Sequence, residues 1–117
     1  MLVSDIVSGV NAKLAGETLT FNQMRLFLDE TIDDVNSALD AKFPTFSGLT
    51  DSDDYNYLPD KYIRSVIITG AAYKFYVTDE EGINTAQQYS YDYSDRLFLM
   101  KRDYSNLVPE EYRAVEQ

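Results

Sequence analysis

Residues 20–44, TFNQMRLFLDETIDDVNSALDAKFP, decide the fold class. Thr20 and Gln23 stand three apart and form a capping box, in which each side chain satisfies an orphan amide of a helix's first turn. Phe21, Met24, Leu28, Ile32, Val35, Leu39 and Phe43 follow at spacings of three and four, one narrow apolar stripe at about 100° per residue. Phe43-Pro44 is the expected stop, because proline disfavours the α region for the residue before it. The pattern predicts an amphipathic helix whose single apolar side must be covered by other elements.

Upstream, Ser4 is the expected N-cap of a first helix, with Ile6, Val7, Val10 and Leu14 on one face and Gly16 as its stop. Gly9 in its middle costs up to ~1 kcal/mol relative to Ala. Downstream, residues 44–58 read as a loop of about fifteen residues, a length usually associated with function or mobility. Pro59 suits the start of a third helix, with Asp60 at the positive end of its dipole. In the run Tyr62 to Val77, the residues Ile63, Val66, Ile67, Gly70, Tyr73 and Val77 make a main face. Ile68, Ala72 and Phe75 make a second, roughly opposite. A helix apolar on two sides is either buried in the middle of its domain or shared with a neighbouring chain. The β-branched run at 66–69 also suits a buried strand; persistence of the pattern over about four turns favours helix.

Residues 78–84 break the pattern, with Gly82 in the turn, and Asn84 or Thr85 is the expected cap of a fourth helix. Its stripe is Ala86, Tyr89, Tyr93, Leu97, Met100 and Tyr104, with Asp92 and Arg96 as an i,i+4 pair. From Ser105 the signal fades, Val108-Pro109 ends any helix, and the remainder is expected to be extended. The sequence therefore predicts an all-α chain: a small four-helix bundle with a long loop between helices 2 and 3 and an extended C-terminal tail. One domain covers 1–117, its core at about 4–104 and its tail at about 105–117.

Composition excludes several function classes. A domain of 117 residues buries roughly two-thirds of its unfolded surface, enough to fold without staples. Cysteine and histidine are both absent. That removes disulfides, thiolate sites, the Ser-His-Asp triad and nearly every zinc or di-iron ligand set. Twenty acids against ten bases give a net charge of −10, which opposes binding to nucleic acid through phosphate neutralisation and docking on an anionic membrane. No stretch is long and apolar enough to span a bilayer, and Met1 to Val10 lacks the basic start of a signal peptide, so cytoplasmic synthesis is expected. Asp51, Asp53 and Asp54 invite a calcium loop, but the EF-hand positions five, six and twelve fall on Tyr55, Asn56 and Tyr62, and the motif fails. There is no GxGxxG, Walker or GxSxG sequence. No catalytic residue, metal site or cofactor is expected.

The charge is uneven. Nine acids and one base, Lys42, lie between Asp29 and Asp60, which is −8 of the total −10. Asp29, Asp33 and Asp40 share one side of the second helix. Lys61 to Thr78 holds three bases and no acid, and Arg96, Lys101 and Arg102 cluster late in the fourth helix. Unlike sides of this kind allow head-to-tail pairing of copies, which closes into a ring if the rotation permits; the simpler reading is a solvated, solubilising face. Ile68, Phe75, Tyr91 and Phe98 fall off the main stripes, as residues of a subunit interface do. Tyr91 and Phe98 stand seven apart on one face of the fourth helix, as Ile68 and Phe75 do on the third.

Four stretches carry a resemblance. They are Tyr57-Leu58-Pro59-Asp60-Lys61-Tyr62-Ile63-Arg64, Gly70-Ala71-Ala72-Tyr73-Lys74-Phe75-Tyr76 with Asp79-Glu80-Glu81-Gly82, the closing Arg102-Asp103-Tyr104 with Leu107-Val108-Pro109-Glu110-Glu111-Tyr112, and the upstream Asp33-Asp34-Val35-Asn36 to Phe43-Pro44-Thr45-Phe46. From about residue 20 onward the chain resembles the head–tail connector (adaptor or head-completion) proteins of long-tailed bacteriophages. The resemblance implies a helical virion protein that forms a homo-oligomeric ring of about twelve copies beneath the portal protein. Such a ring extends the DNA channel and joins the head to a stopper or tail-completion protein. DNA passes through it without specific binding, and no catalytic residue is carried over. On this reading Asp29, Asp33 and Asp40 face the channel and repel phosphate. The loop 44–58 (Asp51, Asp53, Asp54) and the tail (Leu107, Val108, Tyr112) are the docking arms. The acidity also admits a second function: a binding module that imitates DNA and occupies a DNA-binding protein.

Overall fold

A computed structural model describes residues 1–79 and 82–114 and shows an all-α bundle of four helices among them. Helix α1 is Val3–Lys13, α2 is Phe21–Leu39, α3 spans 60–78 and α4 is Ile83–Tyr104; two 3₁₀ turns, Ser105–Leu107 and Glu110–Tyr112, follow. The described residues contain no strand, only isolated bridges between Leu2 and Asp54 and between Ala41 and Arg113.

Helix α2 begins as its sequence dictates. Gln23 N–H donates to the Thr20 hydroxyl and Thr20 N–H to the Gln23 side chain, completing the capping box. Every residue of the stripe from Phe21 to Phe43 is buried. The helix ends at Leu39, four residues before the expected stop at Phe43. Asp40 takes the left-handed conformation (φ 50°, ψ 51°), and Ala41 N–H closes back onto Asn36 O. The Asn36 side chain then holds Phe43 by both backbone groups, at 2.8 and 3.0 Å. Pro44 thus follows a turn that a side-chain amide has already made.

Helix α3 is the centre of the bundle. Seven consecutive residues, Val66 to Ala72, are buried, and the helix packs against the other three. Of the two arrangements open to a helix apolar on two sides, the structure has the one within a single copy. Close approach depends on two glycines. A Cβ on Gly70 would lie 2.5 Å from Thr31 Cγ2 and 2.7 Å from Tyr93 Cε1, so α2 and α4 both press on that position. A Cβ on Gly9 would lie 2.6 Å from Ile68 Cδ1, so the glycine that weakens α1 as an isolated helix also seats it on α3.

Residues Ile63–Ile67 form a π-helical turn, closed by Ile68 N–H donating to Ile63 O. The turn absorbs one extra residue, and side chains after it are rotated by about 100° from where an unbroken α-helix would place them. Val77, expected on the main face, is therefore 58% exposed, while Tyr76 is buried. The Tyr76 hydroxyl donates to Lys13 O at 2.9 Å and accepts from Ala15 N–H at 2.8 Å, tying α3 to the end of α1.

The loop 44–58 is part of the core. Phe46, Tyr55 and Leu58 are buried, the rings of Phe46 and Tyr55 stack at 4.3 Å, and the Tyr55 hydroxyl donates to Pro44 O at 2.6 Å. Its carbonyls cap α1: Val3 N–H donates to Asp53 O and Ser4 N–H to Asp51 O, at 2.9 and 3.2 Å. Ser4 is accordingly inside the helix rather than its N-cap; Leu2 holds that position without a side-chain bond. The expected fourth-helix cap also shifts, since α4 begins at Ile83 after Gly82.

The tail corrects an expectation too. Lys42 N–H donates to Tyr112 O and Ala114 N–H to Asp40 O, so residues 112–114 run beside the chain leaving α2. Val108 is 1% exposed, and the Tyr112 ring packs on Phe43 and Tyr57 at 5.2 and 5.6 Å. The described tail is a strap on the bundle, not a free arm; its expected last stretch, 115–117, lies outside the described residues.

Candidate interaction surface

Helix α4 directs Ala86, Tyr93, Met100 and Tyr104 into the core, with Tyr89 and Leu97 half-buried at its margin. An amphipathic helix whose stripe faces inward must turn the opposite positions to solvent. Tyr91 and Phe98 occupy those positions and are 68% and 65% exposed. They stand two turns apart, about 10 Å along the axis. Ser94 and Asp95 lie between them, and Lys101 and Arg102 lie one turn beyond Phe98, all exposed. Arg96 Nε donates to Asp92 Oδ1 at 2.7 Å along the flank. The Arg102 guanidinium grips Asp103 through two bonds, 2.8 and 3.1 Å, which hold the Asp103 carboxyl below its ordinary range.

The other expected interface residues lie elsewhere. Ile68 is only 6% exposed and fills the gap over Gly9, so it belongs to the core of one copy, not to a subunit interface. Phe75 is half-buried, edge-on to Phe27 at 6.3 Å and to Tyr76 at 5.3 Å, and most of its surface is already covered. The physical reason is the packing of α3, which has neighbours on both of its apolar sides.

The three acids expected along one side of α2 have separate circumstances. Asp29 is a latch: Phe46 N–H and the Ser47 hydroxyl donate to its two oxygens at 2.7 and 3.4 Å. Asp40 is the left-handed cap, exposed, with its carbonyl taken by the tail. Asp33 points to solvent beside the exposed Glu30. Of the expected docking residues, Asp53 accepts from Thr50 N–H and hydroxyl at 2.7 and 3.0 Å, a local turn bond, while Asp51 and Asp54 are exposed. Leu107 is 67% exposed; Val108 and Tyr112 are packed down as described.

One polar cluster escapes a reading of residue types alone. Asp34 Oδ2 accepts from Lys74 Nζ at 2.8 Å and from the Tyr93 hydroxyl at 2.9 Å, joining α2, α3 and α4 at one atom. Burial, then the facing Asp34 charge, pushes the Tyr93 phenol far above its ordinary value. A lone lysine inside an apolar helical run was the available signal, since a partly buried cation requires a carboxylate partner. The cluster is already satisfied within itself and is structural.

Surface clefts lie elsewhere, the first of them along the flank of α4. One of about 430 Å³ is lined by Lys13, Tyr76, Tyr89 and Asp92 among others, one of about 370 Å³ by Asp5, Gly9, Asp60, Arg64 and Ile68, and one of about 210 Å³ by Thr20, Phe21, Asn22, Leu49, Thr50 and Asp51. The described residues contain no group of three or more carboxylates placed to hold a metal ion, and no helix long and apolar enough to cross a membrane. No protein-family model, curated protein or solved structure matches the chain. Leu26, Val77, Leu99 and Leu107 are exposed as well, and among the described residues Tyr91 and Phe98 are the large aromatics that the fold leaves most open to solvent.

Proposed function

We propose that this chain is an architectural virion protein of the head–tail connector kind, a ring subunit that sits under a portal, lengthens the DNA channel and presents a surface to a stopper or tail protein. The observation that carries the reading is the exposed pair Tyr91 and Phe98 on a well-formed helix. Covering about two-thirds of two aromatic side chains removes roughly 130 Å² each from water, which contributes about 3 kcal/mol per residue before association costs. Large aromatics of this kind are enriched at the centres of interfaces. The solvent-facing acids Glu30 and Asp33 on α2 support a channel wall that repels phosphate and lets DNA slide. The protein has no catalytic part in this reading and is placed at the head–tail junction.

Electron microscopy of portal mixed with the chain tests the proposal: an added ring of density below the portal is expected, and bare portal refutes it. The double variant Tyr91→Asp with Phe98→Asp separates interface from core. Its circular dichroism and melting should match the parent within about 0.5 kcal/mol for each site, while assembly is lost. Unfolding of the variant would place the pair in the core and remove the basis of the reading.

A further inference from the structure

We propose that copies of this chain join head to tail, with Phe98 of one copy seated in the cleft between the start of α2 and residues 49–51 of the next. The inference rests on the self-assembly proposed above and specifies its contact.

The two surfaces are unlike and complementary. The protruding one is Phe98, with Lys101 one turn further along the helix; Arg102 beside it is already bonded to Asp103. The receiving one is the cleft of about 210 Å³ with Phe21 and Leu49 as its apolar lining and Asp51 in its wall, large enough for one aromatic ring. Its walls are preformed. The Thr20–Gln23 capping box holds one side, and Asp53, bonded to both the amide and hydroxyl of Thr50, holds the other. Little ordering is required when a ring enters such a cleft, which favours binding.

Charge selects this cleft over the other two. Each copy carries −10, so two copies repel unless the contact unites the few cations of one with acids of the other. The cleft of about 430 Å³ balances Lys13 with Asp92, and that of about 370 Å³ balances Arg64 and the Met1 amine with Asp5 and Asp60, so neither offers a cation a net negative wall. The cleft at 20–22 and 49–51 has no cation in its lining; Asp51 belongs to it, and the exposed Asp54 follows on the same loop. Because the knob and the cleft are different parts of the chain, each copy donates one and receives the other. Repetition of that contact generates a ring where the rotation closes.

Disulfide trapping tests the contact directly, because the chain has no cysteine of its own. Ser94→Cys puts a thiol one turn from Phe98 and Asn22→Cys puts one in the cleft, both at exposed positions. Mixed under mild oxidation, the two single variants should give a covalent heterodimer, and neither alone should cross-link. Lys101→Glu added to the first variant should lower the yield about tenfold, and Asp51→Lys in the second should restore it. Rapid self-linkage of Ser94→Cys would overturn the proposal in favour of a two-fold pairing of α4 faces. Absence of the mixed product, while the parent chain forms rings alone or on portal, would overturn the contact and leave the assembly reading intact. Absence of any assembly of the parent chain would overturn both.

Discussion

Replacing Gly70 by Ala tests the claim that α3 is held at contact distance by helices on both sides. In an exposed helix the change would stabilise the protein by up to about 1 kcal/mol, because Ala is the better helix former. Here the added methyl meets Thr31 Cγ2 at 2.5 Å, Tyr93 Cε1 at 2.7 Å and Thr31 Oγ1 at 3.0 Å. Neither neighbour yields easily. The Thr31 hydroxyl donates to Phe27 O, and the Tyr93 hydroxyl is fastened to Asp34. Overpacking of this order costs about 1–3 kcal/mol, and two opposed contacts place Gly70→Ala at the upper end. Net of the helix gain, a loss of about 2 kcal/mol is expected, or roughly 10 °C in Tm for a domain of this size. Urea unfolding followed by circular dichroism measures it. Thr31→Ser, which removes the nearest methyl, should recover about 1 kcal/mol in the double variant relative to additivity. A neutral or stabilised Gly70→Ala protein would refute the packing described for α2, α3 and α4.

Alkaline pH gives a second test. Burial raises Tyr55 and Tyr93 well above the ordinary tyrosine value of 10.0, so above that pH the unfolded chain loses two protons that the folded chain keeps. The stability contributed by these protonated phenols is full below pH 10 and falls beyond it, by about 1.4 kcal/mol per pH unit for each tyrosine. Urea midpoints at pH 9, 10.5 and 11.5 check this, and Tyr93→Phe should take about 1.4 kcal/mol per pH unit off the slope; an unchanged slope would mean that the ring is not held as described. The acids of α2 should also separate by role. Asp29→Ala strands the donors at Phe46 and Ser47 and should cost about 1–3 kcal/mol, whereas Asp33→Ala should stay within about 0.5 kcal/mol. Equal costs in thermal melts would contradict the latch.

Much of this fold is local chemistry. The Thr20–Gln23 cap, the stripe from Phe21 to Phe43 and the stripe of α4 are set by spacing and by hydrogen-bonding groups within a few residues, and the structure reproduces them. The exposure of Tyr91 and Phe98 follows from the same periodicity, since a helix that buries one stripe must show its opposite side. Long-range partners were not legible in that way. Whether Ile68 faces a neighbour or the core depends on Gly9, 59 positions earlier in the chain, and the rotation after residues 63–67 depends on a π turn that no spacing of apolar residues announces. The acids divide on the same ground: periodicity puts Asp29 and Asp33 side by side, and only the arrival of Phe46 and Ser47 turns one into a latch and leaves the other to solvent. A side chain's place on its helix is a property of the repeat. Its partner is a property of which distant segment the closed bundle brings to it, and that is decided when all four helices pack at once.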